Sequence, residues 1–265
     1  MKNAPIGIFD SGIGGLTIAN AIKTALPNEN IIYFGDTKHL PYGEKSKTAI
    51  QNFSKKIINF LIQKKCKIIV IACNSASSVA EKNIVKKQEQ TLIFNVIEPI
   101  VEEIKQKYSN SNIGVIGTKA TITSDIYKQK IKESCKNVNV KSLATPLLAP
   151  MIEEGFINGT ISNTVITNYL SNKKLKNLDH LILACTHYPL IQKEIEKYYN
   201  NSVNVIDSSN IVAKYILQKL THKKLLNKEK LNEHHFYVSN YTKSFEKSAK
   251  FFFNEAIKLK EVTLY

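Results

Sequence analysis

The sequence lacks the features that mark secreted and membrane-spanning proteins. No apolar run in its 265 residues approaches the roughly 20 residues that a membrane-spanning helix needs. The N-terminal MKNAPIGIFDSGIGG reaches an aspartate and glycines without an extended apolar region, which is atypical of a secretory signal. We therefore predict a cytoplasmic protein that does not enter the membrane.

Cysteine is scarce, and its spacing argues against two common uses. The four cysteines are Cys66, Cys73, Cys135 and Cys185. None forms a CxxC pair, which disfavours zinc and dithiol redox chemistry. A chain of this length in a reducing compartment needs no disulfides, so we predict free thiols. Apart from His187, the histidines are His39, His180, His222, His234 and His235, with no ligand spacing beyond one adjacent pair. We predict no metal site.

Acidic residues are few beside the basic ones. The 37 Lys and Arg against 22 Asp and Glu give a formal charge of +15, which raises the hypothesis of a nucleic-acid partner. The lysines are scattered over predicted helix surfaces, and no helix-turn-helix, zinc-finger or RNP-like pattern accompanies them. We favour a solvated basic surface and keep a nucleic-acid-associated or regulatory protein as the alternative of another class. Duplex-DNA binding that weakens steeply with salt would support that alternative.

What the chain does contain is an alternation of short apolar runs and longer amphipathic stretches. This pattern predicts an α/β fold with mainly parallel sheets and helical crossovers. Predicted strands lie at 6–9, 31–35, 67–72, 92–97, 112–117, 180–184, 204–208 and 236–239. Predicted helices lie at 47–64, 75–88, 99–107, 121–134, 162–171, 189–199, 209–220 and 244–259.

Two of the predicted strands end in the same way. IIVIACNSAS (68–77) and HLILACTHYPL (180–190) each end in Ala-Cys, followed at once by polar residues. The likeness predicts two pseudo-symmetric α/β domains with the active site in the cleft between them. We place the first domain at 1–97 together with 209–265 and the second at 98–208.

In open parallel sheets, ligands bind outside the carboxyl ends of the strands. DSGIGGLT (10–17) follows such a strand, but it is not a GxGxxG fingerprint because Thr17 stands where the third glycine would be. One interpretation is a turn whose N–H groups, with Ser11, hold a small anion such as a carboxylate. The other is a turn shaped by backbone geometry, with Asp10 capping the helix.

Cys73 and Cys185 are the chemically suggestive residues. A cysteine between a strand and a helix lies near the positive end of the helix dipole, which predicts a lowered thiol pKa. His187 can also take or hold the proton of Cys185. The alternative is that both are small buried core residues. Two like thiols suit proton transfer at one carbon centre, where a base on one face and an acid on the other exchange roles in the reverse reaction.

The chain resembles the glutamate racemases over nearly its full length. The residues that carry the resemblance are FDSGIGGLT (9–17), YFGDTKHLPYGEKS (33–46), ACNSAS (72–77), GTKATITS (117–124) and ACTHYPL (184–190). The resemblance implies two α/β domains, an active site in the cleft between them, and cofactor-independent interconversion of L- and D-glutamate. It also implies a role in supplying D-glutamate for peptidoglycan, and hence in cell wall biogenesis and cell shape, and a homodimer.

The resemblance assigns roles residue by residue. It makes Cys73 and Cys185 the two proton-transfer residues. The positions that it matches to substrate binding are Asp10, Ser11, Tyr42, Gly43, Asn74, Ser75, Thr186 and His187. Supporting positions are Thr118, Thr121 and Glu153, the last in APMIEEG. Ser75 stands where many members have threonine, which keeps the hydroxyl.

Two alternatives remain beside this assignment. A relative that acts on aspartate or another acidic amino acid would share the two-cysteine arrangement, and the residue types do not measure the length of the substrate pocket. The basic charge leaves open an interaction with nucleic acid or DNA gyrase, which we do not favour.

Overall fold

The computed structural model describes residues 2–80, 91–229 and 233–264. In this part of the chain the strands are β1 Ile6–Asp10, β2 Ile31–Gly35, β3 Ile68–Ile71, β4 Leu92–Asn95, β5 Asn112–Gly117, β6 Asn139–Ala144, β7 His180–Ala184, β8 Asn204–Ile206, β9 His235–Val238 and β10 Leu259–Glu261. They form two sheets. The first has the order β10-β9-β2-β1-β3-β4 and the second β6-β5-β7-β8.

Every strand pairing in both sheets is parallel. The central strands are apolar runs such as IIVI in β3, buried along their whole length. Parallel strands covered by helices on both faces require such continuous apolar runs. The α/β fold with parallel sheets, predicted from the alternation of apolar and amphipathic segments, is confirmed.

Helices connect the strands. In the described residues they are α1 Leu16–Ala25, α2 Lys47–Gln63, α3 Asn74–Val79, α4 Ile97–Lys107, α5 Lys119–Thr123, α6 Ile126–Ser134, α7 Leu148–Glu153, α8 Thr160–Leu170, α9 Gln192–Tyr198, α10 Ser208–His222 and α11 Lys243–Phe253. Short 3₁₀ helices span Tyr42–Glu44, Lys173–Leu175 and Tyr188–Ile191. Over these residues no helix combines the length and the apolar composition that a membrane crossing requires.

The helix α2 shows how local sequence fixes an element. Ser46 caps its N-terminus by accepting a hydrogen bond from Ala49 N at 3.2 Å. Ile50, Ile57 and Leu61 recur at helical spacing and are fully buried. The apolar face therefore packs against the first sheet, and the lysines of the other face remain in solvent.

The predicted strands are all present, with ends that shift by one or two residues, but two strands are missing from the prediction. β6 reads NVKSLA, is only partly buried and pairs along one side as an edge strand. β10 is a three-residue edge strand that follows Asn254, where α11 ends in a left-handed conformation with φ 61°. The predicted helix 244–259 is therefore wrong beyond residue 253. The predicted helix 75–88 lies outside the described residues from 81 onward.

The strand segments follow the predicted division of the chain. The strands of the second sheet lie between residues 112 and 206, and those of the first lie before and after that segment. An apolar cluster nonetheless runs through both sheets and joins residues such as Ile8 and Leu183. The domain ranges 1–97 with 209–265 and 98–208 stay a prediction.

A buried ion pair joins distant segments at the amino ends of the first sheet's strands. Lys67 Nζ lies 2.5 Å from Glu29 Oε2, with side chains 0% and 2% exposed. Lys67 also donates to the carbonyls of Lys2 and Leu225, and Glu29 accepts from the backbone N–H of Asn227. Each charge thus has several partners, which a buried ion needs in order to offset its desolvation.

We predict that Lys67→Met will lower the free energy of unfolding by about 3–5 kcal/mol, because it leaves the Glu29 carboxylate buried without a cation. The double replacement Glu29→Gln/Lys67→Met should be less damaging than the single one. The control is Lys119→Met, which breaks the exposed pair with Glu44 and should cost below about 1 kcal/mol. Denaturant unfolding measures all three, and equal losses for Lys67→Met and Lys119→Met would contradict the prediction.

Candidate active site

The carboxyl ends of strands from both sheets meet around one cavity. The cavity measures about 190 Å³, below the roughly 300–1,000 Å³ typical of pockets for drug-sized ligands. It is lined by Ser11, Leu40, Pro41, Tyr42, Gly43, Cys73, Asn74, Ser75, Thr118, Ala149, Pro150, Glu153, Cys185, Thr186 and His187. Its size suits a molecule as small as an amino acid.

The structure brings the predicted site residues together. All of them line the cavity except Asp10 and Thr121, which are buried and contact the residues that do. Thr121 Oγ1 lies 3.1 Å from Thr118 Oγ1, and Asp10 interacts electrostatically with Cys73. Asp10 does not cap α1. Its Oδ2 accepts from the N–H of Gly12 at 3.0 Å and so closes the turn in which Ser11 lies.

Cys73 follows β3 and is the N-terminal capping residue of α3. Its Sγ accepts from Ala76 N at 3.4 Å and donates to Ser11 Oγ at 3.7 Å. The side chain is almost completely buried, at 5% exposure. The thiol therefore faces the cavity from the first sheet with both of its hydrogen-bonding functions engaged.

The predicted lowering of the Cys73 pKa is wrong. Burial raises the pKa of the Cys73 thiol to about 12, and the charge of Asp10 raises it further. The hydrogen bonds from Ala76 and Ser11 act in the opposite direction but are smaller effects. Desolvation of the thiolate thus outweighs the helix N-terminus. Cys73 rests as a thiol, ready to donate a proton.

Cys185 directly follows β7 of the second sheet, in a different setting. No helix starts directly after it, since a turn leads to the 3₁₀ helix Tyr188–Ile191. Its Sγ lies 3.7 Å from His187 Nδ1, and His187 Nε2 lies 2.8 Å from Glu153 Oε1. The result is a thiol–imidazole–carboxylate chain, in which the imidazole can accept the thiol proton.

His187 is the titratable centre of this chain. Its burial alone lowers its pKa, but the hydrogen bonds and charges of Cys185 and Glu153 outweigh burial and raise the pKa well above the ordinary value. The imidazolium form is therefore favoured, with a carboxylate at one nitrogen and sulfur at the other. Burial also raises the pKa of Asp10, which the charge of His187 partly offsets.

Hydroxyl groups from both sheets cluster on another wall of the cavity. Ser75 Oγ lies 2.8 Å from Thr118 Oγ1 and 3.4 Å from Thr121 Oγ1. Ser75 follows β3, whereas the two threonines follow β5. Hydroxyls in this arrangement can donate to carboxylate oxygens. The cluster can thus anchor an acidic ligand, and it needs both sheets to form.

Several cavity residues and neighbours are absent from the sequence-based assignment. Leu40 and Pro41 lie in the quoted motif YFGDTKHLPYGEKS, and Ala149 and Pro150 lie in APMIEEG. These four cavity residues could therefore have been predicted from the motifs that contain them. Phe252 of α11 packs edge-on against His187, with ring centroids 5.3 Å apart. Nothing in the local sequence indicates that this phenylalanine contacts the site.

The described residues contain no group of three or more His, Cys, Asp or Glu side chains that could hold a metal ion. All four cysteines are free, as predicted from the length of the chain and a reducing compartment. Burial raises the pKa of Cys66 to about 12, and Cys66 packs beneath Gly7, away from the cavity. The polar side chains that line the cavity are acid–base and hydrogen-bonding groups, such as Cys185, His187 and Ser75.

The turn after β1 contacts the segment after β7 at Gly14. A Cβ at Gly14 would lie 2.4 Å from His187 Cε1 and 2.7 Å from Thr186 Oγ1. Thr17 Oγ1 also donates to the Thr186 carbonyl at 3.0 Å. The missing side chain at Gly14 therefore lets the turn after β1 pack directly on the residues beside Cys185.

We predict that Gly14→Ala will lower the free energy of unfolding by about 1–3 kcal/mol, because the added methyl displaces two packed side chains. Gly12→Ala is the matched control in the same turn, since a Cβ there meets only Leu40 Cδ2 at 3.6 Å. Denaturant unfolding of both variants tests this. Equal stability of the two would mean that His187 and Thr186 can move aside without cost.

Comparison with known proteins agrees with this geometry. The Asp/Glu/Hydantoin racemase family model matches residues 16–216. Glutamate racemase 3 of Caldanaerobacter subterraneus subsp. tengcongensis is 40% identical over 251 residues, 94% of this chain and 91% of its own. Glutamate racemase of Aquifex aeolicus is 46% identical over 209 residues, 79% of this chain and 80% of its own.

A solved structure extends the similarity to three dimensions. The crystal structure of glutamate racemase from Francisella tularensis subsp. tularensis in complex with D-glutamate superposes with a TM-score of 0.91 at 40% identity. The match covers 100% of this chain and 99% of that one. The chain belongs to the Asp/Glu/hydantoin racemase family.

Proposed function

We propose that the protein is an isomerase that interconverts L- and D-glutamate without a cofactor, by proton transfer between the substrate α-carbon and two cysteines. The observation that carries the proposal is one small cavity lined by both Cys73 and Cys185, each from a different sheet. The similarity to glutamate racemases at 40% and 46% identity supports glutamate as the substrate.

The proposed reaction moves one proton at each face of the α-carbon. In the reacting form the proton of Cys185 already resides on His187 Nδ1, as a thiolate–imidazolium pair, and the Cys185 thiolate takes the α-proton from one enantiomer. Cys73, resting as a thiol, gives its proton to the opposite face of the carbanion. In the reverse direction the two cysteines exchange roles, as microscopic reversibility requires.

The α-carbanion must be stabilised by groups that are already in place. Candidate donors are the Asn74 amide and the hydroxyls of Ser11, Ser75 and Thr186, all on the cavity wall. Fixed donors in a water-poor cavity interact more strongly with developing charge than they would in water. We assign the Ser75 and Thr118 hydroxyls, which lie 2.8 Å apart, to a substrate carboxylate.

The wider role follows from the same assignment. D-glutamate is the product that the resemblance links to bacterial peptidoglycan, so we assign the enzyme to cell wall biogenesis. We further infer that it acts in the cytoplasm as a homodimer. Turnover of L-aspartate in place of L-glutamate would transfer the proposal to an aspartate racemase of the same family.

We predict that Cys73→Ala and Cys185→Ala will each lower the racemisation rate of glutamate by about 10³-fold or more, because each removes a general acid–base group. Cys135→Ala is the control, since this half-buried cysteine follows α6 and does not line the cavity. Optical rotation follows the reaction, and near-ultraviolet circular dichroism checks the fold. A cysteine variant within tenfold of the parent rate would exclude the two-base scheme.

A second prediction concerns Glu153 and the charge on His187. Glu153→Gln removes a hydrogen-bonded carboxylate that raises the His187 pKa, so that pKa should fall. The imidazolium would then lose its proton at lower pH, and the alkaline limb of the rate profile should move to lower pH with it. Imidazole NMR titration and the pH dependence of kcat/KM measure the two effects.

The matched control for Glu153 is its neighbour. Glu154 is exposed and does not line the cavity, so Glu154→Gln should leave both titrations unchanged. If Glu153→Gln left the imidazole titration where it is in the parent protein, the carboxylate would not set the charge of His187.

A further inference from the structure

Only one of the two polar atoms of the Asn74 side-chain amide has a hydrogen-bond partner in the described residues. Its side chain lines the cavity beside Cys73, and its exposure is 3%. Oδ1 accepts a hydrogen bond, whereas Nδ2 is buried without a hydrogen-bond partner among the described residues. A buried N–H donor that lacks a partner is costly, and at a binding site it indicates a group kept for a ligand.

The partner of Oδ1 comes from a helix that packs against the other sheet. The hydroxyl of Tyr127, on α6, donates to Asn74 Oδ1 at 2.7 Å. The Tyr127 ring is 2% exposed and belongs to the apolar cluster under the second sheet, with Ile113 and Ile182. Tyr127 does not itself line the cavity. It therefore holds the Asn74 amide from a rigid position outside the substrate space.

We propose that Tyr127 is a positioning residue that fixes the orientation of the Asn74 amide, so that Nδ2 and not Oδ1 is presented to a carboxylate of the bound amino acid. This inference rests on the proposed racemase function and adds a residue of α6, which packs against the second sheet, to the substrate-binding residues beside the first sheet.

The two orientations of the amide differ in their interaction with an anion. With Nδ2 toward the cavity, the amide donates to a carboxylate in a charge-assisted hydrogen bond. Rotation of the amide by 180° would place the partially negative Oδ1 against the same carboxylate. Without a donor at Oδ1, both orientations would be populated. The Tyr127 hydroxyl favours the observed orientation, because Asn74 Oδ1 is the acceptor of its O–H in the described residues. A rotated amide could donate Nδ2 to the hydroxyl oxygen, but it would leave this buried O–H without its acceptor.

The first test is Tyr127→Phe, which removes the hydroxyl and keeps the ring in its apolar cluster. KM for both L- and D-glutamate should rise about tenfold, the effect of one hydrogen bond to a charged group, with kcat within about threefold of the parent value. Tyr108→Phe is the matched control. It removes another Tyr–Asn pair, in which the Tyr108 hydroxyl accepts from Asn204 Nδ2 at 3.2 Å, at the start of β8 and away from the cavity. Its KM should be unchanged.

A double-mutant cycle shows whether Tyr127 acts through Asn74. In an Asn74→Ala background, Tyr127→Phe should change KM by less than about twofold, because the amide that it orients is gone. A tenfold change that persists in this background would overturn the inference and would make Tyr127 a purely structural residue. An unchanged KM in Tyr127→Phe alone would overturn it as well.

A further variant keeps the test decisive if Tyr127→Phe folds poorly. Asn74→Asp leaves an acceptor for the Tyr127 hydroxyl but presents an anionic oxygen to the substrate, so at pH 8 it should raise KM at least about tenfold more than Asn74→Ala does. Equal KM values for these two variants would contradict the assigned orientation.

Calorimetric titration with D-glutamate tests the role of Tyr127 separately from the proposed racemase function. The parent protein should bind and turn over glutamate. If it does so and Tyr127→Phe has the same dissociation constant for D-glutamate, only the Tyr127 inference is overturned. A parent protein that neither binds nor turns over glutamate would overturn the proposed function and the inference together.

Discussion

The contact between Gly14 and the His187–Thr186 segment is the constraint on which the site depends. A Cβ at Gly14 would lie 2.4 Å from the His187 ring, so only glycine lets the turn after β1 pack against the residues after β7. The same contact is tied by the hydrogen bond from Thr17 to the Thr186 carbonyl. Because the carboxyl ends of the strands in both sheets meet there, two thiols from distant parts of the chain line one small cavity.

Close packing has an electrostatic consequence that differs between the two thiols. Burial raises the pKa of Cys73 to about 12, with Asp10 adding to the effect, so Cys73 is held as a proton donor. Cys185 has instead an imidazole within 3.7 Å, and that imidazole is held by Glu153. The two strand ends are alike in sequence, but the groups that support them are not. Under the proposed mechanism, Cys73 therefore gives a proton to the substrate carbanion, whereas Cys185 takes the α-proton with the support of His187.

Much of the architecture and the site was predictable because both depend on local patterns. Buried parallel strands are apolar runs, and the polar residues after them mark the binding edge, which identified Ser11, Cys73 and Cys185. The edge strands β6 and β10 were not predicted, because partly exposed edge strands have a weak apolar pattern. The raised pKa of Cys73 could not be predicted from the sequence, because desolvation depends on burial in the tertiary structure. Tyr127 contacts Asn74 across 53 positions of sequence, and no local pattern encodes such a contact.

The central claim is that the α-proton of glutamate is exchanged by protein side chains alone. The most direct test is incubation of the purified protein with L-glutamate in D₂O, in reducing buffer and without added cofactor, with the α-proton followed by NMR and the optical rotation recorded in parallel. The account predicts that the α-proton signal disappears while the rotation decays to zero, and that the D-glutamate formed carries deuterium at the α-carbon. Retention of both the α-proton and the rotation would contradict it.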